Sequence, residues 1–246
     1  MKKDEFLKEL EKINITLTEN QILKLAKFYE LLVIWNEKIN LTTILKEEDV
    51  YLKHFYDSLT LIKVIDLNKE LTLLDVGTGA GFPGIVLKIV FPNLKITLLD
   101  SMNKRISYLN EIIKELDLKD IDTVCSRAED YALKNREKYD IVVCRAVAHL
   151  EILVEITLPL VKVNGYFIAM KSNANEEIAL ARKKIFALNS KIIEILSFKL
   201  PFENSIRTLI KIQKFKKTDL KYPRKYDKIK KENLKNIQNQ RKLEKK

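Results

Sequence analysis

Leu71-Thr-Leu-Leu-Asp-Val-Gly-Thr-Gly-Ala-Gly-Phe-Pro-Gly84 decides how the rest of the chain is read. An apolar run ends in an aspartate and a valine, and four of the chain's five glycines follow at Gly77, Gly79, Gly81 and Gly84. Glycine reaches positive φ and puts no side chain between the backbone amides and a ligand. A strand that enters such a turn and then a helix is how α/β folds hold nucleotide-type ligands. The helix N-terminus presents unpaired N–H groups to a negative group.

Downstream of this turn, short apolar runs alternate with amphipathic stretches. The strand candidates are 71–76, 95–99, 121–125, 139–144 and 165–171, and the helix candidates are 83–90, 103–116, 149–161 and 174–189. Regular alternation with crossovers of this length predicts a mostly parallel, doubly wound sheet. Two more β-rich runs, 191–199 and 205–213, are joined by a short link containing Pro201 and suit a closing antiparallel pair. Upstream, residues 1–66 read as helices. Thr18 is placed to cap a helix beginning near Glu19, with Ile22, Leu25, Ala26, Tyr29, Leu32 and Val33 on one face, and Trp35 continues that face. A second helix is expected over Glu48–Val64. The expected architecture is therefore α/β: a Rossmann-like doubly wound domain over 67–214, a helical extension over 1–66, and a basic tail over 215–246. That tail is polar and lacks periodicity, so it reads as loosely held.

Apolar residues make up 46% of the chain, the share of an ordinary globular protein. No continuous apolar run is long enough to cross a bilayer, and the first residues lack the apolar core of a signal peptide. These features imply a cytoplasmic protein with no membrane partner. Cys125 and Cys144 fit no metal spacing and read as buried reduced thiols, with no metal site expected. The net charge of +11 is unevenly placed: residues 211–246 hold 15 basic and 4 acidic residues, and the remainder holds 30 of each. A basic strip of this kind is the footprint of a polyanion, most simply nucleic acid. Its alternative reading is a solubilising tail.

Gly79-Ala-Gly81-Phe-Pro-Gly84 formally matches the dinucleotide fingerprint, so an oxidoreductase has to be weighed. Two details favour S-adenosylmethionine. Read from Gly77, the third glycine comes one residue early. Asp75 also stands immediately before the loop, poorly placed beside a pyrophosphate but well placed for a ligand ammonium. The next strand ends at Asp100, 23 residues after Gly77, where a carboxylate accepts both ribose hydroxyls. Ser101 follows it. Ser126-Arg-Ala-Glu-Asp130 follows the third strand, where the adenine pocket of such folds lies.

The methyl acceptor is narrowed by what is missing. Amino methylation of adenine or cytosine usually carries an Asn/Asp-Pro-Pro-aromatic element after the fourth strand, and all five prolines here are isolated. Carbon-5 methylation of pyrimidines needs a thiolate. Cys144 is the only candidate near that strand's end and reads as a packed strand residue. Guanine N7 carries a lone pair and no proton, so its methylation needs orientation rather than a base, which a site with an arginine and a lysine supplies.

The Asp75–Gly84 stretch resembles the signature of the bacterial small-subunit ribosomal RNA guanine-N7 methyltransferases, the glucose-inhibited division protein B family. Trp35-Asn-Glu-Lys-Ile-Asn-Leu-Thr42, His54-Phe-Tyr-Asp-Ser-Leu59, Leu99-Asp-Ser-Met-Asn-Lys-Arg105, Arg127-Ala-Glu-Asp130, Arg145-Ala-Val-Ala148 and Tyr222-Pro-Arg-Lys225 resemble that family too. The similarity runs from about residue 25 to 225. It implies an S-adenosylmethionine site made by Gly77, Gly79, Phe82, Asp100, Ser101, Met102, Ala128, Glu129 and Arg145. It further implies a small-subunit (16S) ribosomal RNA substrate, within an assembled or nearly assembled particle, and a monomeric enzyme. Two departures lie late in the chain: His149 stands where the family has arginine, and the stretch after Lys225 lacks its Pro/Gly-rich ending. Arg145 and Lys171, both at strand ends, are the candidate catalytic residues, with a solvent-reaching strand-end lysine as the plainer reading of Lys171. His54, Arg224 and Lys225 are candidate RNA contacts. For His54 and Asp57, three apart on a helix, the alternative is a packing pair. Two other functions stand beside the methyltransferase: a ribosome-assembly binding module that keeps cofactor affinity, and the oxidoreductase.

Overall fold

The computed structural model describes residues 1–244. Among them one sheet is built from β1 (Thr72–Val76), β2 (Lys95–Asp100), β3 (Ile121–Cys125), β4 (Tyr139–Arg145), β5 (Val161–Lys171), β6 (Ser190–Lys199) and β7 (Ile206–Lys214). Their spatial order is β3-β2-β1-β4-β5-β7-β6. The first five strands run parallel, and β7 pairs antiparallel with both β5 and β6. The chain reverses its winding between β1 and β4, which opens a crevice at the carboxyl ends of those strands.

The sheet is covered on both faces, which is why its inner strands read as unbroken apolar runs. Leu73, Ile141, Val143 and Ile168 face one core, and Leu74, Val142, Cys144 and Phe167 face the other. The helical elements are α1 (Lys3–Glu11), α2 (Glu19–Ile39), α3 (Glu47–Val50), α4 (Asp57–Leu59), α5 (Gly84–Val90), α6 (Asn103–Glu115), α7 (Ala128–Lys134), α8 (Leu150–Thr157), α9 (Asn175–Ala187) and α10 (Tyr226–Glu244). A π-helical stretch, Tyr51–Tyr56, joins α3 to α4, and a 3-10 turn, Thr60–Lys63, follows. Among the described residues no helix is long and apolar enough to cross a membrane.

The segment over 1–66 shares one hydrophobic core with the sheet: Phe6, Leu25, Phe28, Leu32 and Phe55 join Ile85, Leu98 and Ile141 in a single cluster. Thr18 caps α2 as the sequence predicts, in a reciprocal box with Gln21 worth about 1 kcal/mol. The Gln21 amide also donates to the carbonyls of Ile89 and Val90, satisfying the open end of α5. One residue thus starts a helix and fastens it to the sheet layer.

Four expectations are corrected. The helix expected over 149–161 ends earlier, because Pro159 sits in a 3-10 turn and β5 already begins at Val161. α7 begins within the stretch Ser126–Asp130, read only as an adenine pocket, and runs on to Lys134. The described chain after 215, up to residue 244, is not loosely held, and the last two residues of the expected tail lie outside the described residues. Arg136 donates to the carbonyls of Thr218 and Tyr222, and α10 buries Ile229 and Asn233. Of the two cysteines, Cys144 is buried but Cys125 is exposed.

Candidate active site

The glycine turn is held from beneath by Asp75. This side chain is fully buried, and its Oδ2 accepts from the Thr78 hydroxyl at 2.7 Å and from the Gly84 amide at 2.9 Å. Burial raises its carboxyl to about 6. The Asp75 carboxylate is enclosed under the loop it ties: Oδ2 makes both of these bonds, and Oδ1 is buried without a partner among the described residues. Gly84 is needed for that closeness, since a Cβ there would collide with Leu98 and stand 2.9 Å from the Asp75 carboxylate. Gly77 serves the opposite side of the loop. It has φ +69°, and a Cβ would lie 2.5 Å from the Val147 side chain.

A cavity of about 260 Å³ opens at this edge, walled by Gly77, Asp100, Ser101, Ala128, Glu129 and Val147, among others. Asp100 accepts from the Gly79 amide (3.1 Å), the Met102 amide (2.9 Å) and the Arg105 guanidinium (3.2 Å). Each carboxylate oxygen has two lone pairs, so with three of the four taken, one on Oδ1 is left for a ligand hydroxyl; the expectation that Asp100 accepts both ribose hydroxyls is cut to one. The cavity fits S-adenosylmethionine: a side-chain-free backbone at Gly77, an aspartate at the second strand's end, and Ala128 and Glu129 beyond the third. Gly79 and Met102 support Asp100 through their amides and do not line the cavity. Phe82 and Arg145 lie outside its wall as well. Arg105 and Val147 do line it, and the sequence reading passed over their side chains.

Phe82 is buried between two rings. His54 stacks on it at 4.4 Å and Phe28 tilts against it at 5.3 Å, with the Arg145 guanidinium 5.2 Å from its centre. Arg145 leaves β4 and enters a polar chain made by the N-terminal helices. It donates to the Lys53 carbonyl (3.0 Å) and to Asp57 Oδ2 (3.2 Å), and its second nitrogen lies 3.1 Å from His54 Nδ1. Arginine only donates, so His54 Nδ1 accepts and Nε2 carries the hydrogen, directed at the Thr42 hydroxyl 3.1 Å away. Burial, and then the Arg145 charge, push the imidazole down to about 3, so it stays neutral. His54 is buried away from the outer surface, where a phosphate backbone would lie, and reaches only the wall of a cavity; its placement explains why the Trp35–Thr42 and His54–Leu59 motifs belong together. Asp57 Oδ1 accepts from Arg207 at 3.2 Å, a partner 150 residues away with no sequence signal.

Lys53, His54, Asp57, Arg145, Lys171 and Arg207 wall a second cavity of about 400 Å³, and both cavities touch Ala146. Lys171 donates to the Ala148 carbonyl at 2.6 Å and pairs with Glu177 at 2.7 Å, which pins the loop between them. Ala146 holds φ +54°, a conformation that costs a non-glycine residue about 1–2 kcal/mol. Cys144 is buried with its thiol pushed up by burial, so it presents no thiolate. Arg224 is not available to phosphate as the sequence suggested. It is engaged with Glu155 at 2.7 Å and Glu232 at 2.6 Å. Lys225, its neighbour, is exposed.

Comparison with known proteins follows the same lines. The family model described as rRNA small subunit methyltransferase G matches residues 21–207. The ribosomal RNA small subunit methyltransferase G of Staphylococcus carnosus is 51% identical over 223 residues, 89% of this chain and 93% of that protein. Its namesake from Acetivibrio thermocellus is 52% identical over 213 residues, 86% of this chain and 88% of its own. Among solved structures, precorrin-6y C5,15-methyltransferase from Geobacter metallireducens superposes with a TM-score of 0.50 at 18% identity. It covers 72% of this chain and 91% of its own, a likeness of fold.

Proposed function

The chain belongs to the rRNA small subunit methyltransferase G family, and from that premise we propose that it transfers a methyl group from S-adenosylmethionine to N7 of a guanine in small-subunit (16S) ribosomal RNA. The observation that carries this reading is the meeting of two cavities at Ala146, one suited to the donor and one lined by Arg145, Lys171 and Arg207. Gly77, Asp100, Ser101, Ala128 and Glu129 would hold the donor, which when bound supplies an electrophilic methyl group. The residues around the second cavity orient the acceptor base. Guanine N7 presents a lone pair and no proton, so no side chain need act as a base. The enclosed His54, neutral at working pH, and the inert Cys144 accord with that. Arg145, held by Asp57 and Lys53, keeps fixed positive charge beside the acceptor, where it favours a purine carbonyl. Residues 1–66 contribute the acceptor wall, 67–214 the donor domain and 215–246 a basic face. The protein works as a cytoplasmic monomer on an assembled or nearly assembled small subunit. An oxidoreductase or a binding module without turnover gains nothing from the second cavity.

Incubating the protein with radiolabelled donor and small subunits from a strain lacking the enzyme should label one guanine at N7. Label on another atom, or none, overturns the reading. Arg145→Ala should retain donor binding and lose about 100-fold in turnover, the scale of one preorganised charge.

A further inference from the structure

The family match ends at residue 207, yet α10 lies beyond it and is firmly placed. Ile229, Glu232, Asn233, Asn236 and Ile237 recur at helical spacing and form its inner face. The Asn233 amide donates to Glu151 at 2.8 Å and lies 2.9 Å from His149 Nδ1, and Asn236 donates to Glu151 at 2.6 Å. Glu232 pairs with Lys184 at 2.8 Å. His149 caps α8 directly after the Ala146–Ala148 loop, so α10 is registered to the edge where the two cavities open. Toward its C-terminal end, Ile237 and Gln240 share a cavity with His149, Asn173 and Asn175, at the carboxyl ends of β4 and β5. The helix therefore climbs along the molecule and finishes at the rim of the site.

Its opposite face is of another kind. Lys228, Lys231, Lys235 and Lys242 repeat at spacings of three, four and seven, and so lie in one narrow stripe. All four are exposed, and among the described residues no hydrogen bond or ion pair engages them. Other basic residues of the same region are neutralised: Lys214 by Glu137, Lys221 by Asp219, and Arg224 by Glu155 and Glu232. The stripe therefore carries four uncompensated charges in a row, part of the excess of residues 211–246, while Lys216, Lys217, Lys225 and Lys230 are exposed off it. It is about 21 Å long, enough to run beside several phosphates of one strand. The inner face of α10 is already docked, so no apolar half is left for a membrane.

Resting on the ribosomal RNA methyltransferase reading above, we propose that the outer face of α10 is a docking surface for the phosphate backbone of the substrate RNA, aligned to lead that RNA to the rim of the two cavities. Lys228→Gln, Lys231→Gln and Lys235→Gln combined test this, since glutamine matches lysine in helix propensity and the face is exposed. With small subunits as substrate, KM should rise about tenfold with kcat and donor affinity unchanged. The salt dependence of log kcat/KM should flatten by roughly 2 to 3, about one per lost phosphate contact. Filter binding of the same particles reads docking without turnover. Equal binding and equal salt slopes for the two proteins overturn the docking surface. A wild type that binds through the stripe but never methylates overturns the functional reading and leaves the surface standing.

Discussion

At Gly77 one missing Cβ separates a turn that can hold a ligand from one that cannot. Its φ of +69° and the nearness of Val147 leave no room for a side chain without strain or movement. Gly77→Ala should therefore lower stability by about 1–2 kcal/mol. Gly77→Asp should in addition weaken S-adenosylmethionine binding at least about 100-fold, because its carboxylate would face that of the ligand across a few ångströms. Calorimetry against the donor checks both, and an unchanged affinity for Gly77→Asp removes this residue from the pocket. The same scale shows the limit of reading acids by position. Asp75 and Asp100 both stand at strand ends in the sequence, but Asp75 points into the core to tie Thr78 and Gly84, whereas Asp100 lines the cavity. Only the direction of each side chain separates a loop anchor from a residue of the cavity wall.

Among the elements, the parallel strands and their crossover helices were legible because two-sided burial writes itself into composition as continuous apolar runs. α10 was not, because its inner face is made largely of Asn, Glu and Gln, whose partners lie on α8 and α9. Among the described residues its apolar contacts are few, Tyr226, Ile229 and Ile237, too sparse for a periodicity of apolar residues. α7 escaped for a related reason: it is short and buries only Ala132. Asn233→Ala should leave the Glu151 carboxylate short of a buried donor and lower stability by about 1–3 kcal/mol. Denaturant titration followed by far-UV dichroism measures it. An unshifted midpoint would mean that α10 does not depend on this contact.

The whole molecule is stitched by the chain Asn36–Thr42–His54–Arg145–Asp57–Arg207, which joins the N-terminal helices to β4 and β7. His54 gives it a pH signature. Its folded value of about 3 lies below the ordinary 6.5, so the unfolded chain binds the proton first. The contribution is complete above about pH 6.5 and is lost as pH falls toward 3, at up to about 1.4 kcal/mol per pH unit. Asp75, raised to about 6, acts with the opposite sign between about pH 4 and 6. The measurement is therefore the difference between wild type and His54→Gln, whose stability should fall less steeply on acidification. Parallel stability curves for the two would show that the ring is not enclosed. The sequence by itself determined the doubly wound fold and the family, and it singled out the glycine turn and Asp100 that wall the first cavity, because these rest on local spacing and on motifs in order along the chain. The tertiary structure decided that Asp75 is an anchor, that Arg145 is set by Asp57 and His54, that Arg207 joins the wall of the second cavity, and that α10 is docked with its lysines outward. Each of these depends on which distant side chains meet in space, and neither spacing nor periodicity carries that information.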